Sequence, residues 1–81
     1  MDKTKYFEDA DYPDVIVRKQ PDMLELEVIS KFNPVWRKTE PDSSYEREYY
    51  FGEGRGCLFE ITREDAEKRL SAWGVGMQNG T

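Results

Sequence analysis

Cys57-Leu58-Phe59-Glu60-Ile61, followed by Thr62-Arg63-Glu64-Asp65-Ala66-Glu67-Lys68-Arg69-Leu70-Ser71-Ala72-Trp73-Gly74, reads as a strand running into one capped helix. Thr62 is a good N-cap, Asp65 stands at the third helical position where a carboxylate can answer the cap, and Glu64 and Asp65 complement the positive helix start. Ala66, Leu70 and Trp73 recur at four- and three-residue spacing and therefore share one face. Glu64 with Lys68 and Asp65 with Arg69 are acid-before-base pairs four apart, the order favoured on a solvated helix face. Gly74 supplies a left-handed terminus, after which Val75 can fold back on Leu70. A helix with one apolar stripe needs a surface to cover, and the strands upstream supply it.

Residues 14–19 alternate, with Val15 and Val17 on one side, and Gln20-Pro21-Asp22-Met23 forms a tight turn because proline presets the dihedral at its second position. Leu24-Glu25-Leu26-Glu27-Val28 has a period of two, with Leu24, Leu26 and Val28 facing one way and Glu25 and Glu27 the other. Asn33-Pro34 cannot lie in a central strand, since proline lacks the N–H donor, so residues 35–39 are expected to be a short edge strand. After the turn cluster Glu40-Pro41-Asp42-Ser43-Ser44, residues 45–51 are aromatic and alternating in the manner of a strand. Gly52-Glu53-Gly54-Arg55-Gly56 then closes a hairpin into the final strand.

The order β-β-β-β-β-α, with connections too short for crossover helices, predicts the α+β class. The expected architecture is an antiparallel meander sheet of four to five strands with one C-terminal helix packed on one face. Residues 1–13 are expected to be a flexible acidic segment, 14–75 the single domain and 76–81 a frayed tail.

Composition sets bounds on function. A chain of 81 residues with a formal net charge of −5 and eleven aromatic side chains is large enough for one small core. It has one cysteine and no histidine, which excludes an internal disulfide, histidine-dependent triads and zinc sites within one chain. Cys57 lies beside Phe59 and Ile61, where a small buried thiol packs as an apolar residue, and no base is at hand to make a thiolate. No apolar run is long enough to span a bilayer, and residues 1–12 lack the basic start and apolar centre of a signal peptide, so a cytoplasmic protein is expected. The acidic balance disfavours a general phosphate-backbone binder and favours a basic partner.

Strand alternation, with Leu24, Leu26, Val28, Phe59 and Ile61 toward the helix, sends Glu25, Glu27 and Glu60 to the opposite face. Glu46 and Glu48 join them if Tyr45, Tyr49 and Phe51 point inward, a parity in which Arg47 is awkward. Ile29, Tyr50 and Leu58 then lie among the carboxylates. The partner-binding set is therefore Glu25, Glu27, Ile29, Glu46, Glu48, Tyr50, Leu58 and Glu60. It describes a small acidic interaction module (a regulator, inhibitor or accessory subunit) that docks on a basic protein surface through the glutamate-rich face of its sheet.

The alternative is single-stranded nucleic-acid binding through exposed sheet aromatics and arginines, suggested by Trp36-Arg37-Lys38 and by Tyr49-Tyr50-Phe51 followed by Arg55. Glu46 and Glu48 would repel phosphate there. The glycine-rich run 52–56 opens no helix and so lacks the amides of a phosphate cradle. Paired carboxylates on an open face have no desolvated pocket to separate their pKa values. No catalytic residue, cofactor or metal is expected, and the edge strand at residues 35–39 offers a route to a homodimer.

Overall fold

In a computed structural model of the chain, described for residues 3–40, 43–53 and 56–75, the chain forms five strands and two helices. They are β1 (Lys5–Asp9), β2 (Tyr12–Lys19), β3 (Glu27–Ser30), β4 (Asn33–Lys38), α1 (Ser44–Phe51), β5 (Leu58–Ile61) and α2 (Arg63–Ala72). The strands make one sheet in the order β4-β3-β2-β1-β5, each neighbouring pair antiparallel. The α+β class and the C-terminal helix agree with the sequence. None of the described helices is long and apolar enough to cross a membrane.

The helix α2 forms as its sequence dictates. The Thr62 side chain accepts the Asp65 N–H, Ala66 and Leu70 are buried, and Gly74 at φ 82° lets the Val75 N–H reach the Leu70 carbonyl at 2.8 Å. Arg69 departs from expectation: its guanidinium bonds Glu8 of β1 at 2.6 Å, pinning the helix across the sheet. An ion pair that bridges two elements fixes their relative position, which a pair along one helix cannot do.

Three expectations are corrected. Residues 45–51 are helix α1. The Ser43 side chain accepts the Glu46 N–H at 3.2 Å, and Gly52 closes the helix in the left-handed region at φ 69°. Ser43-Ser44-Tyr45-Glu46 has the residues of a capping box, and that local signal outweighs the strand preference of tyrosine. Gly52 therefore ends a helix and does not open a hairpin.

The second correction lies at the N-terminal end, where Lys5–Asp9 is not a flexible segment but a strand inside the sheet, paired on both sides. Tyr6 and Phe7, adjacent in sequence, point to opposite faces and are both buried. The third concerns Leu24, which is 79 % exposed because the strand begins only at Glu27. The expected tail at residues 76–81 lies outside the described residues.

These changes give the sheet a helix on each face. Beneath α2, Tyr6, Ile16, Ile29, Ala66 and Leu70 form one buried cluster. Beneath α1, Phe7, Val17 and Leu26 form a second, extended by Val28, Tyr45, Tyr49 and Leu58. Adjacent strand residues thus supply opposite cores, as at Ile16 and Val17, so apolar alternation alone could not tell an inside from an outside.

Candidate interaction site

The eight residues of the expected acidic face do not share one surface. There are two physical reasons: α1 roofs the face that was expected to be open, and Leu26 and Val28 face α1 rather than the C-terminal helix, which turns Glu27 and Ile29 to the α2 side. Ile29 is fully buried under α2. Glu27 lies on that same side, where its Oε1 accepts from Arg18 Nε and from Gln20 Nε2, each at 2.7 Å. Glu46 projects from α1 into the protein and is 7 % exposed. Its Oε2 accepts the Leu26 N–H at 2.8 Å and the Thr39 hydroxyl at 2.6 Å, which makes it a structural link.

Tyr50 is 45 % exposed and donates its hydroxyl to the Leu24 carbonyl at 2.6 Å. Its pKa is raised above the ordinary phenol value, first by desolvation and then by the nearby Glu46, Tyr49 and Glu25. Glu25 is half-buried in the loop before β3. Arg47 is exposed on α1, and the helix removes its parity conflict.

Glu48, Leu58 and Glu60 do come together. They line a groove of about 460 Å³ between α1 and the β1–β5 end of the sheet, with Lys5, Phe7 and Tyr49. Phe7 and Tyr49 meet edge to face with ring centroids 5.6 Å apart and make its apolar base. Glu48 Oε2 accepts the Leu58 N–H at 2.8 Å, and its Oε1 lies 3.9 Å from the Cys57 thiol. Glu60 is exposed on the outer strand, across from Phe7 of β1.

The parity expected for β5 holds: Phe59 and Ile61 face α2, and Leu58 and Glu60 face away from it. Lys5 and Phe7 were missed as groove residues because the segment containing them was read from its acidity. The sign available in the sequence was the adjacent apolar pair Tyr6-Phe7 flanked by Lys5 and Glu8, a pattern suited to a strand buried on both faces.

The hydrogen bonds that reach β5 show which of its backbone groups face outward. The Ala10 N–H bonds the Cys57 carbonyl at 2.8 Å, so in antiparallel alternation Phe59 and Ile61 turn their peptide groups toward β1 while Leu58 and Glu60 turn theirs away. Glu48 occupies the outward Leu58 N–H. Among the described residues the outward N–H and C=O of Glu60 have no strand beside them, since β5 is a sheet edge.

Two other arrangements are less productive. Asp9, Asp11 and Cys57 can each bring one ligand atom within 4.8 Å of the others. However, the Asp9 oxygens already accept the Asp11 N–H at 2.9 Å and the Tyr45 hydroxyl at 2.6 Å, which makes the cluster a turn lock. On the other edge, the Arg18 guanidinium sits 3.9 Å over the ring of Trp36. That face of the indole is therefore covered against a stacking base, and Tyr49 is packed in the second core. Comparison with protein-family models, with curated proteins and with solved structures finds no match to this chain.

The Glu27 site gives a pH prediction. Burial pushes its carboxyl pKa up, but the hydrogen bonds from Arg18 and Gln20 and the charges of Arg18 and Lys38 outweigh this and hold it below the usual 4.5. A depressed carboxylate stabilises the fold above its unfolded-state pKa and loses that contribution as pH falls through the folded one. The stability gap between wild type and Glu27→Gln is thus expected to shrink on acidification below 4.5, as read by urea unfolding at successive pH values. A gap that stayed constant across that window would mean the ion pair contributes nothing.

Proposed function

We propose that this chain is a small protein-interaction module that receives an extended cationic segment along the edge of β5 and in the groove beside it. The observation that carries the reading is the meeting of Glu48, Leu58 and Glu60 at one groove next to a strand edge on which, among the described residues, the Glu60 backbone faces outward with no strand beside it. Strand addition at such an edge supplies backbone hydrogen bonds, and pockets on alternate sides supply selectivity. A lysine or arginine laid into the groove rests its aliphatic stem on Phe7, Tyr49 and Leu58 while its head stays wet beside Glu60. The net charge of −5 speeds encounter with a basic segment. Exposed Phe59, on the opposite side of β5, offers an apolar contact to the neighbouring side chain of the added strand.

This reading keeps the basic partner expected from composition and moves its seat from a broad sheet face to one edge. We assign no catalytic role to the groove, because Glu48 is engaged by the Leu58 N–H and the Cys57 thiol and the site is open to water.

Titration calorimetry with a short peptide of alternating lysine and valine tests the proposal. At low salt the peptide is expected to bind, more weakly as salt is added, while a peptide of alternating glutamate and valine gives no heat. Glu60→Lys, an exposed substitution, is expected to weaken the lysine peptide by at least about tenfold. Equal affinity for wild type and Glu60→Lys would overturn it.

A further inference from the structure

We infer, resting on the reading of β5 as a docking edge, that the cationic segment it takes is β4 of a second copy of this chain. The sheet has two edges, β4 and β5, and they differ in charge. β4 carries Arg37 and Lys38 and is exposed along almost its whole length, with only Trp36 half-buried. β5 carries Glu60 and adjoins the groove bordered by Glu48.

Topology fixes how the two edges can meet. Four successive antiparallel pairings separate β4 from β5, so the two strands point the same way. A second copy set beside the first with its two helix layers in line therefore brings β4 against β5 as a parallel pair. Its faces also match: Arg37 lies across from Val28, on the α1 side, and Glu60 lies across from Phe7, on the same side.

The hydrogen-bond alternation agrees independently. The Thr39 N–H bonds the Leu26 carbonyl at 2.9 Å, so Thr39 and Arg37 turn their peptide groups toward β3 while Lys38 and Trp36 turn theirs outward. In a parallel pair, a residue with outward groups sits opposite one whose groups face away, bonding the residues on either side of it. Glu60, with outward groups, then sits opposite Arg37, its N–H on the Trp36 carbonyl and its carbonyl on the Lys38 N–H. The same register sets Trp36 beside Phe59 on the α2 side, since Trp36 packs on the α2 cluster and Phe59 shares the parity of Ile61.

Charge meets opposite charge and apolar meets apolar. Pro34 does not obstruct the two bonds of Glu60, which go to Trp36 and Lys38, and proline's missing N–H is required by neither. Symmetric dimers lack this match, since β4 against β4 gathers Arg37 and Lys38 with like charges and β5 against β5 opposes two copies of Glu60. A contact between different edges related by side-by-side placement does not close on itself, so the product is an open row of copies.

Sedimentation velocity of the full chain at rising concentration tests this, with circular dichroism checking that each variant keeps the fold. The wild type is expected to grow past the dimer without a plateau. Arg37→Glu and Glu60→Lys are each expected to raise the concentration of half-association at least about tenfold, and the double variant Arg37→Glu/Glu60→Lys to restore association by exchanging the two charges. A monomer at every concentration, a dimer that stops growing, or single reversals without effect would overturn the inference. If the chain stays monomeric while the lysine peptide still binds and Glu60→Lys still weakens it, the docking edge stands and its segment belongs to another protein. If the peptide also fails to bind, the docking reading falls with it.

Discussion

Leu70→Ala is expected to remove about 3–4 kcal/mol of folding stability, the largest effect of any single truncation in α2. Leu70 is fully buried and touches the cluster that also holds Tyr6, Ile16, Ile29 and Ala66. Its side chain carries the helix onto the sheet, because Ala66 is small and Trp73 is only partly buried. A ten-residue helix does not hold together in water without such packing. The whole chain of 81 residues has about 4–12 kcal/mol to lose, so the variant stands near the edge of unfolding and melts about 12–32 °C lower. Thermal unfolding followed by circular dichroism reads the difference, with exposed Ser71→Ala as the control expected to stay within about 0.5 kcal/mol. A loss below about 1 kcal/mol would mean that α2 is not seated on the sheet through this residue.

The same residue shows what the sequence made legible. The α2 segment announced itself because cap, apolar spacing and terminal glycine all point to one structure, and local agreement of that kind survives in the fold. β5 was legible for a related reason, as a short apolar run just before a strong cap.

The stretch holding α1 carried conflicting signals. Tyr45, Tyr49, Tyr50 and Phe51 favour a strand by side-chain type, yet Tyr45 and Tyr49 are also four apart, the spacing that puts both on one helix face, and both pack on the sheet. Ser43 decided between them, and its role lies in a backbone hydrogen bond that composition does not display. β1 was hidden by its charge, since Lys5, Glu8 and Asp9 surround the two aromatics. Asp9 is 1 % exposed and Glu8 binds Arg69, so two of those charges are internal links.

The candidate site inherited both errors. Parity was right for Leu58 and Glu60 on β5, was inverted at β3, where Val28 faces α1 and Ile29 faces α2, and failed for Glu46 and Tyr50, where a helix turns residues by a hundred degrees each rather than half a turn. The groove itself needed α1 as a wall and β1 as a floor, the two elements that the sequence left unread.

Glu46→Ala is expected to cost about 2–4 kcal/mol and to loosen α1 in particular. One carboxylate oxygen holds three separated parts of the chain: the Leu26 N–H ahead of β3, the Thr39 hydroxyl after β4, and the first turn of α1 from which it projects. In a common capping box this glutamate would turn back to the N–H of the cap residue. Here the Ser43 N–H bonds the Glu40 carbonyl instead, at 3.0 Å, which leaves Glu46 free to reach across.

Removing the carboxylate strands a buried donor on Leu26, and a buried unsatisfied N–H costs more than the net gain of an ordinary hydrogen bond. Glu46→Gln keeps an accepting oxygen of the same reach and is expected to recover most of the loss. Amide exchange separates this account from a simple packing defect: the Leu26 N–H should lose protection in Glu46→Ala and largely keep it in Glu46→Gln, while the amides of α2 stay close to wild type. Uniform loss of protection across both helices would show instead that the residue supports the whole fold. Because α1 walls the groove beside β5, the alanine variant is also expected to bind the lysine peptide more weakly than its remaining folded fraction explains.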